Sequence, residues 1–397
     1  MADEVLDRPG GCADPWIRAM TDFAGASVCC HGVGPNRGVR FPLKAGPHVH
    51  DWRWFQTGEV YTGLRRRMLE GGASQACPKS LCGIIGSNTS IRSQLDAYRK
   101  VYPHKAWMVD LVEESVLARE VEVKLIPRVV NVTIGHLCNA GCPFCIQGWD
   151  KSQPKREDRD LSPSQLDALG WWGAHAIRMT VMGGEVFAYP DEYLGRVFYP
   201  CHEAQTPVRV VTNGLLLTLK RYNRWVVNGP IDTVQVSIDT VDPEAYRIHR
   251  GEDVSKLIRN LEAIAAAHPD HRIHQGLIVL SKYTLGSLRQ TVQWIADLGI
   301  KTLTISPIVT NNVNLHRLDW EEWDPFGVGF TPELRDQIRE EVDAVEAIAN
   351  KYGMGMAVPQ RVRVALQLAE GAHQAGAPVN FKCVRPEEET QPAEAPV

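Results

Sequence analysis

Three cysteines, Cys138, Cys142 and Cys145, have the spacing in this 397-residue sequence that most clearly indicates chemistry. Thiolates hold iron-sulfur clusters, and three of them supply all but one of the protein ligands of a four-iron cluster. The remaining iron is then open to a small molecule. A zinc knuckle on Cys142 and Cys145 is the alternative. It would need a second ligand pair at matching spacing, and no such pair follows in the sequence.

A buried strand is predicted immediately before these cysteines. Residues 128–134 are rich in β-branched side chains, which favour a strand and place the cysteines on the loop at its C-terminal end. In barrels of alternating strands and helices, catalytic residues lie at this end of the strands.

Strand-like and helix-like patterns alternate from 125 to 307. Six strands are predicted, near residues 128–134, 179–182, 208–211, 233–239, 275–280 and 302–306. Ser162 to Gln165 has the form of a capping box with proline at the first helical position, and further helices are predicted at 257–267 and 287–298. The pattern predicts an α/β fold, a partial (β/α)6 TIM-like barrel with one open side for substrate.

The cysteine motif and the strand ends together resemble radical S-adenosylmethionine (SAM) enzymes over about residues 125–310. Gly183-Gly184-Glu185 is similar to the family turn whose main chain binds the SAM ammonium, and Arg250 occupies the place of an arginine that pairs with the SAM carboxylate. The other SAM-binding positions that the resemblance implies are Phe144, Thr212, Asn213, Ser237 and Asp239. The alternatives are an ordinary turn, strand-end capping and a solvated surface charge.

The resemblance also implies a reaction and partners. The family cleaves SAM reductively to a 5'-deoxyadenosyl radical, which abstracts hydrogen from an unactivated carbon. It needs an electron donor such as flavodoxin or ferredoxin. The cofactors implied are SAM and the 4Fe-4S cluster that binds it.

Half of the cysteines lie in the N-terminal region, at Cys12, Cys29, Cys30, Cys77 and Cys82. This stretch resembles a SPASM or twitch module, which implies a second, auxiliary 4Fe-4S cluster. Its ligands would be Cys12, Cys77, Cys82 and one of the adjacent pair, with Cys30 favoured over Cys29. Such modules usually follow the barrel, whereas this region precedes it and lacks the full seven-cysteine pattern. Zinc is the competing metal.

Three domains are therefore predicted: an auxiliary-cluster module at 1–122, a radical SAM partial barrel at 123–310, and a C-terminal helical extension at 311–397. The extension has helices at 332–351 and 361–370 and ends in an acidic, disordered tail. Cys383 is interpreted as a buried apolar residue, with a remnant of another such module or an extra cluster ligand as the alternatives. Cys201 is interpreted as structural, with hydrogen-atom donation as the alternative.

Composition excludes several classes of protein. The net charge of -4 argues against a broad nucleic-acid-binding surface. No apolar run reaches membrane-spanning length, and the first residues lack a secretory signal, so a cytoplasmic protein is expected.

The predicted function is a radical SAM oxidoreductase, which dehydrogenates or crosslinks its substrate while the auxiliary cluster accepts an electron. A radical SAM epimerase of a sugar or peptide residue is the first alternative. A non-catalytic iron-sulfur or zinc protein is the second. The expected substrate is a small polar metabolite or a peptide.

Overall fold

The computed structural model describes residues 2–22, 25–27, 52–76, 88–145, 160–270, 272–308, 323–326 and 331–358, with 362 and 366. Five cysteines named above lie outside the described residues: Cys29, Cys30, Cys77, Cys82 and Cys383. The predicted helix at 361–370 falls almost wholly outside them too. The auxiliary cluster therefore stays a prediction.

The described residues form one sheet of nine strands in the order β2-β1-β3-β4-β5-β6-β7-β8-β9. All neighbouring pairs are parallel except β1 with β2, which is antiparallel. The strands are β1 Arg18–Asp22, β2 Gly25–Ser27, β3 Val129–Thr133, β4 Arg178–Met182, β5 Val208–Thr212, β6 Ile231–Ser237, β7 Ile273–Leu280, β8 Thr302–Pro307 and β9 Gly355–Ala357.

The six predicted strands are confirmed as β3 to β8, and the α/β class with a parallel sheet is confirmed with them. The sheet of the described residues has three more strands than the six predicted. The short strands β1, β2 and β9, which lie outside the predicted barrel, extend it at both edges. The barrel shape itself and the domain boundaries at 122 and 310 stay predictions.

Helices separate most of the parallel strands. The capping box is confirmed, because the Ser162 hydroxyl accepts from the Gln165 backbone N–H and Pro163 opens the helix. The α-helices are α1 Ala2–Asp7, α2 Asp14–Ile17, α3 Arg53–Gln56, α4 Glu59–Gly71, α5 Ala73–Ala76, α6 Ile91–Val101, α7 Ala106–Leu117, α8 Pro163–Ala174, α9 Asp191–Glu203, α10 Leu219–Tyr222, α11 Pro243–Arg250, α12 Val254–Ala267, α13 Lys282–Leu285, α14 Leu288–Asp297 and α15 Pro332–Lys351.

The N-terminal helices build a second apolar core around Trp16, Phe55 and Tyr61. Arg65 is fully buried within it and donates hydrogen bonds to four backbone carbonyls, so its charge is solvated by the main chain. Burial nevertheless lowers the pKa of Arg65 to about 10. Since β1 pairs in parallel with β3, this region is continuous with the sheet that carries the cysteine loop.

The two faces of the sheet differ in chemistry. Alternate residues such as Val132, Val181 and Val236 belong to the main apolar core, against the helices. The residues between them are mostly polar, and Gln235, Gln275 and Thr304 form a hydrogen-bonded row across β6, β7 and β8. We call this second side the open face. It includes Asn131, Arg178, Thr180, Arg209, Gln235, Gln275 and Thr304.

No helix within the described ranges has the length and apolar character needed to cross a membrane.

Candidate active site

The loop that follows β3 carries Cys138, Cys142 and Cys145, and all three side chains are partly buried. The loop is closed by its own backbone, because the Cys145 N–H donates to the Cys142 carbonyl at 3.2 Å. It is also joined to α11 through a 2.9 Å bond from the Gly141 N–H to the Arg250 carbonyl. The loop is therefore held from two directions.

The glycine pair after β4 lies directly against this loop. A Cβ on Gly184 would stand 2.1 Å from the Leu137 carbonyl oxygen, and one on Gly183 would stand 2.6 Å from that of Gly135. Gly183 also has a φ of +128°, a backbone conformation that glycine adopts readily and that residues with a side chain rarely adopt. The Glu185 N–H then donates to the Leu137 carbonyl at 2.7 Å. The two glycines thus allow close contact between two backbones.

The Glu185 side chain points into the protein and is completely buried. Its carboxylate accepts from the Thr212 hydroxyl and the Asn213 N–H, each at 2.6 Å, and from the Phe187 N–H at 3.0 Å. Burial raises the pKa of Glu185, while these three donors oppose the rise. Glu185 consequently fixes the turn that ends β5 against the turn that ends β4.

Asn213 connects the end of β5 to the cysteine loop. Its amide nitrogen donates to the Asn139 side-chain oxygen at 3.0 Å and lies 3.9 Å from the Cys138 sulfur. Its amide oxygen accepts from the Leu215 N–H at 3.0 Å, which fixes the orientation of the amide. A donor is thereby directed toward a cysteine sulfur.

Asp239, beyond the end of β6, is the anion of a buried charge cluster. It is fully buried at φ of +61°, a conformation that Asp and Asn tolerate better than most residues. One carboxylate oxygen accepts from Arg250 Nε at 2.5 Å and lies 3.0 Å from His249 Nδ1, and the other accepts from the Val279 N–H at 2.8 Å. Burial alone would raise the pKa of Asp239, but Arg250 and His249 hold it well below its usual range.

Arg250 connects this charge cluster to the cysteine loop, because it contacts both Asp239 and Cys142. Its Nη1 lies 3.5 Å from the Cys142 sulfur, and its guanidinium stands 5.7 Å from the centre of the Phe144 ring. Phe144 packs in turn against the His249 ring at 4.4 Å between centroids. The pKa of Arg250 is raised well above its usual value, because the neighbouring carboxylate outweighs the opposing effect of burial. A permanent positive charge therefore stands beside Cys142.

The loop sulfurs fit an iron-sulfur cluster. Burial raises the pKa of the Cys138 thiol to about 12 and also raises the pKa of Cys142, so each thiolate needs a cation beside it. Among the described residues, no group of three His, Cys, Asp or Glu is arranged to hold a single metal ion. A cubane is held differently from a single ion, because each thiolate binds a different iron.

Ser237 lies half-buried at the end of β6. The structure thus gathers the predicted residues Gly183, Glu185, Asn213, Asp239 and Arg250 around the cysteine loop. Their predicted roles toward SAM stay predictions.

Sequence reasoning missed the support behind the loop. The Tyr189 hydroxyl donates to Asp160 at 2.6 Å and accepts from the Leu137 N–H at 3.0 Å, and Asp160 also accepts from the His136 N–H. Their spacing along the chain gives no signal, because these contacts form only when the fold is complete. His249, whose Nδ1 lies 3.0 Å from Asp239, was not among the predicted site residues.

Two other cysteines lie away from this site. Cys12 is buried in the N-terminal core. Cys201 is completely buried on the helix side of the sheet, with its sulfur 4.0 Å from that of Met179. A groove of about 520 Å³ also lies on the outer surface, lined by residues of α8 and α9 that include Trp171 and Arg196. It includes none of the cysteine-loop residues.

The decisive comparison is with protein families, and residues 132–295 match the family described as the radical SAM superfamily. This part of the chain is similar to radical SAM enzymes. The matched residues begin in β3 and end in α14, so they include the cysteine loop and every strand end described above. The match supports the predicted superfamily over these residues, and the SAM-binding cluster stays a prediction.

Curated relatives include proteins named "Probable GTP 3',8-cyclase". The one from Methanopyrus kandleri is 28% identical over 201 residues, covering 46% of this chain and 57% of the relative. The one from Methanococcus aeolicus is 24% identical, covering 43% and 56%. The chain thus spans little more than half the length of these relatives.

Solved structures with a similar fold include SuiB of Streptococcus suis bound to S-adenosylmethionine, at 12% identity and a TM-score of 0.47, covering 75% of this chain and 65% of that one. Another is the coproporphyrinogen III oxidase HemN of Escherichia coli, at 14% identity and a TM-score of 0.41, covering 57% and 52%. Similarity at this level establishes no shared activity.

Proposed function

We propose that this protein binds SAM at an iron-sulfur cluster held by Cys138, Cys142 and Cys145 and uses it to abstract hydrogen from a substrate on the open face. The observation that carries the proposal is the pair of nitrogen donors directed at the loop sulfurs, Asn213 at Cys138 and Arg250 at Cys142. Hydrogen bonds to the sulfurs are one way in which proteins set the potential of such clusters.

When bound, the cluster and SAM supply a 5'-deoxyadenosyl radical. The protein's own residues orient the reactants and exclude water. The main chain at Gly183 and Gly184 is proposed to bind the SAM ammonium, beside Thr212 and Ser237. Arg250 has five N–H donors, and Asp239 and Cys142 engage two of its nitrogens. We propose that the remaining edge of its guanidinium binds the SAM carboxylate.

The direct test is production of 5'-deoxyadenosine by reconstituted, reduced protein. We expect product from the wild type and none above background from Cys142→Ala. Cys201→Ala is the matched control, because it removes a buried thiol on the opposite side of the sheet. Equal yields from wild type and Cys142→Ala would eliminate the enzymatic proposal and leave an iron-sulfur or zinc protein that carries electrons or stabilises a fold.

Beyond this step, we propose a two-electron oxidation of the substrate, with an auxiliary cluster at Cys12, Cys77, Cys82 and Cys30 or Cys29. The proposal predicts about eight iron atoms per chain, against about four for one cluster. It also predicts a product two hydrogens lighter than the substrate. An electron donor such as flavodoxin or ferredoxin in a reducing cytoplasm would supply the first electron.

A redox-neutral ring closure is the second candidate, favoured by the relatives named as GTP cyclases. It requires no auxiliary electron acceptor, and it predicts a product isomeric with the substrate once the ring-closed radical has gained one electron, from the electron donor, and one proton. Epimerisation with Cys201 as hydrogen donor has less support, because that thiol is buried on the helix side of the sheet.

A further inference from the structure

Two arginines lie on the open face at the end of the sheet opposite the cysteine loop. Arg178 is the first residue of β4, and Arg209 is the second residue of β5. The ladder places Thr180 beside Arg209, so Arg178 is a diagonal neighbour of Arg209 on the same face. We call these residues the arginine pair.

Each arginine of the pair has one buried donor without an acceptor among the described residues. Nε of Arg178 and Nε of Arg209 are both buried and have no hydrogen-bond partner among the described residues. Burial lowers the pKa of Arg209, and the charge of Arg178 lowers it further. Two guanidiniums that repel each other with unused donors need a negative partner.

The surrounding groups do not supply enough negative charge. Asp232 is the carboxylate beside the pair, and its Oδ1 is also buried without a partner among the described residues. The nearby Arg18 adds no unbalanced positive charge, because it forms an ion pair with Asp14 at 3.2 Å. Tyr98 of α6 contacts Arg178 through its ring, 5.9 Å away, and Tyr102, just beyond the end of α6, forms a hydrogen bond with Arg178. Burial raises the pKa of Tyr102. Two cations therefore face one carboxylate.

We propose that the arginine pair binds an oxyanion group, a phosphoryl or a carboxylate, at the far end of the substrate. The inference rests on the proposed function, because it assumes that the substrate lies along the open face toward the cysteine loop. Arg209 stands three positions before Thr212 at the end of β5. A strand rises about 3.3 Å per residue, so the backbone of Arg209 lies about 10 Å along the strand from that of Thr212. Asn131, whose Oδ1 is also without a partner among the described residues, is on the same face and level with Thr180 and Arg209 in the ladder.

The test measures anion binding to the reconstituted protein without SAM or reductant, so its result does not depend on radical chemistry. The probes are inorganic pyrophosphate and malonate, each followed by titration calorimetry and by the shift in Tm. We expect saturable binding of at least one probe to the wild type, and the tighter one identifies the oxyanion. Arg209→Gln should weaken that binding about tenfold or more, as expected for loss of charge-assisted hydrogen bonds.

Stability separates a binding role from a structural one. Removing one of two repelling charges should leave the Tm of ligand-free Arg209→Gln equal to that of wild type or above it. Arg289→Gln is the matched control, because Arg289 is exposed on α14 and pairs with Glu340 and Glu341. It should bind the probes as the wild type does. The proposal is overturned if neither probe saturates the wild type, if Arg209→Gln binds like wild type, or if Arg209→Gln melts markedly lower.

Discussion

Replacing Asp239 by asparagine tests whether the buried charge cluster holds the site together. Asparagine has the same shape and tolerates the positive φ of this position, so the change acts through charge and hydrogen bonding. Its amide would lose one acceptor oxygen and place an N–H₂ group toward Arg250 or the Val279 N–H. It would also leave the buried Arg250 without its counter-ion.

Breaking a buried ion pair by removing one partner costs about 3–5 kcal/mol. We expect Asp239→Asn to lower the free energy of unfolding by that amount in urea denaturation monitored by circular dichroism. Asp191→Asn is the matched control, because Asp191 also accepts two bonds, from Arg224 and Trp225, but 29% of its side chain is exposed. An exposed pair of this kind contributes about 1 kcal/mol or less.

The pH dependence gives a second measurement of the same variant. Because the pKa of Asp239 is held below its usual value, the stabilisation of the folded state by its ionised carboxylate is fully present above about pH 4. It is lost as the pH falls below that value toward the lowered pKa of the folded state. The stability gap between wild type and Asp239→Asn should therefore narrow in acid. A gap no larger than that of Asp191→Asn, or one that is constant with pH, would refute the reasoning.

Three further predictions concern the same site. Glu185→Gln should cost about 1–3 kcal/mol in urea unfolding, because one of three buried donors loses its acceptor; unchanged stability would contradict the hydrogen-bonding role. Gly184→Ala should reduce the iron content after reconstitution, since a Cβ would stand 2.1 Å from the Leu137 carbonyl, and a full iron complement would contradict the close contact. Cys201→Ala should leave deuterium incorporation from heavy water into product unchanged, because its thiol faces the helices; loss of the label would support the epimerase alternative.

The regular elements of the domain were accessible from the sequence because their signals are local. Strand-like stretches, such as the β-branched residues at 128–134, located β3 to β8, and the capping box located the start of α8. The short strands β1, β2 and β9 have three to five residues and no such pattern. They form because the exposed edges of a long sheet accept any extended segment that reaches them.

The site was predictable as a set of positions but not as a set of contacts. The resemblance located Glu185 and Arg250, yet it did not indicate that Glu185 would point inward to Thr212, or that Arg250 would lie between Asp239 and Cys142. These contacts join residues far apart in the chain. They depend on strand register, which neither composition nor spacing encodes directly.

Buried carboxylates support the cysteine loop on two sides. Glu185 fixes the turns after β4 and β5, and Asp239 fixes Arg250 after β6. The groups that donate to Glu185 are a hydroxyl and two backbone N–H groups, so Glu185 positions the backbone. Asp239 instead orients a cation that reaches the Cys142 sulfur. The two carboxylates therefore have separable effects. Loss of Glu185 should disorder the turns and lower both stability and iron content, whereas Arg250→Gln should retain iron and shift the cluster potential downward, because a positive charge favours the reduced, more negative cluster.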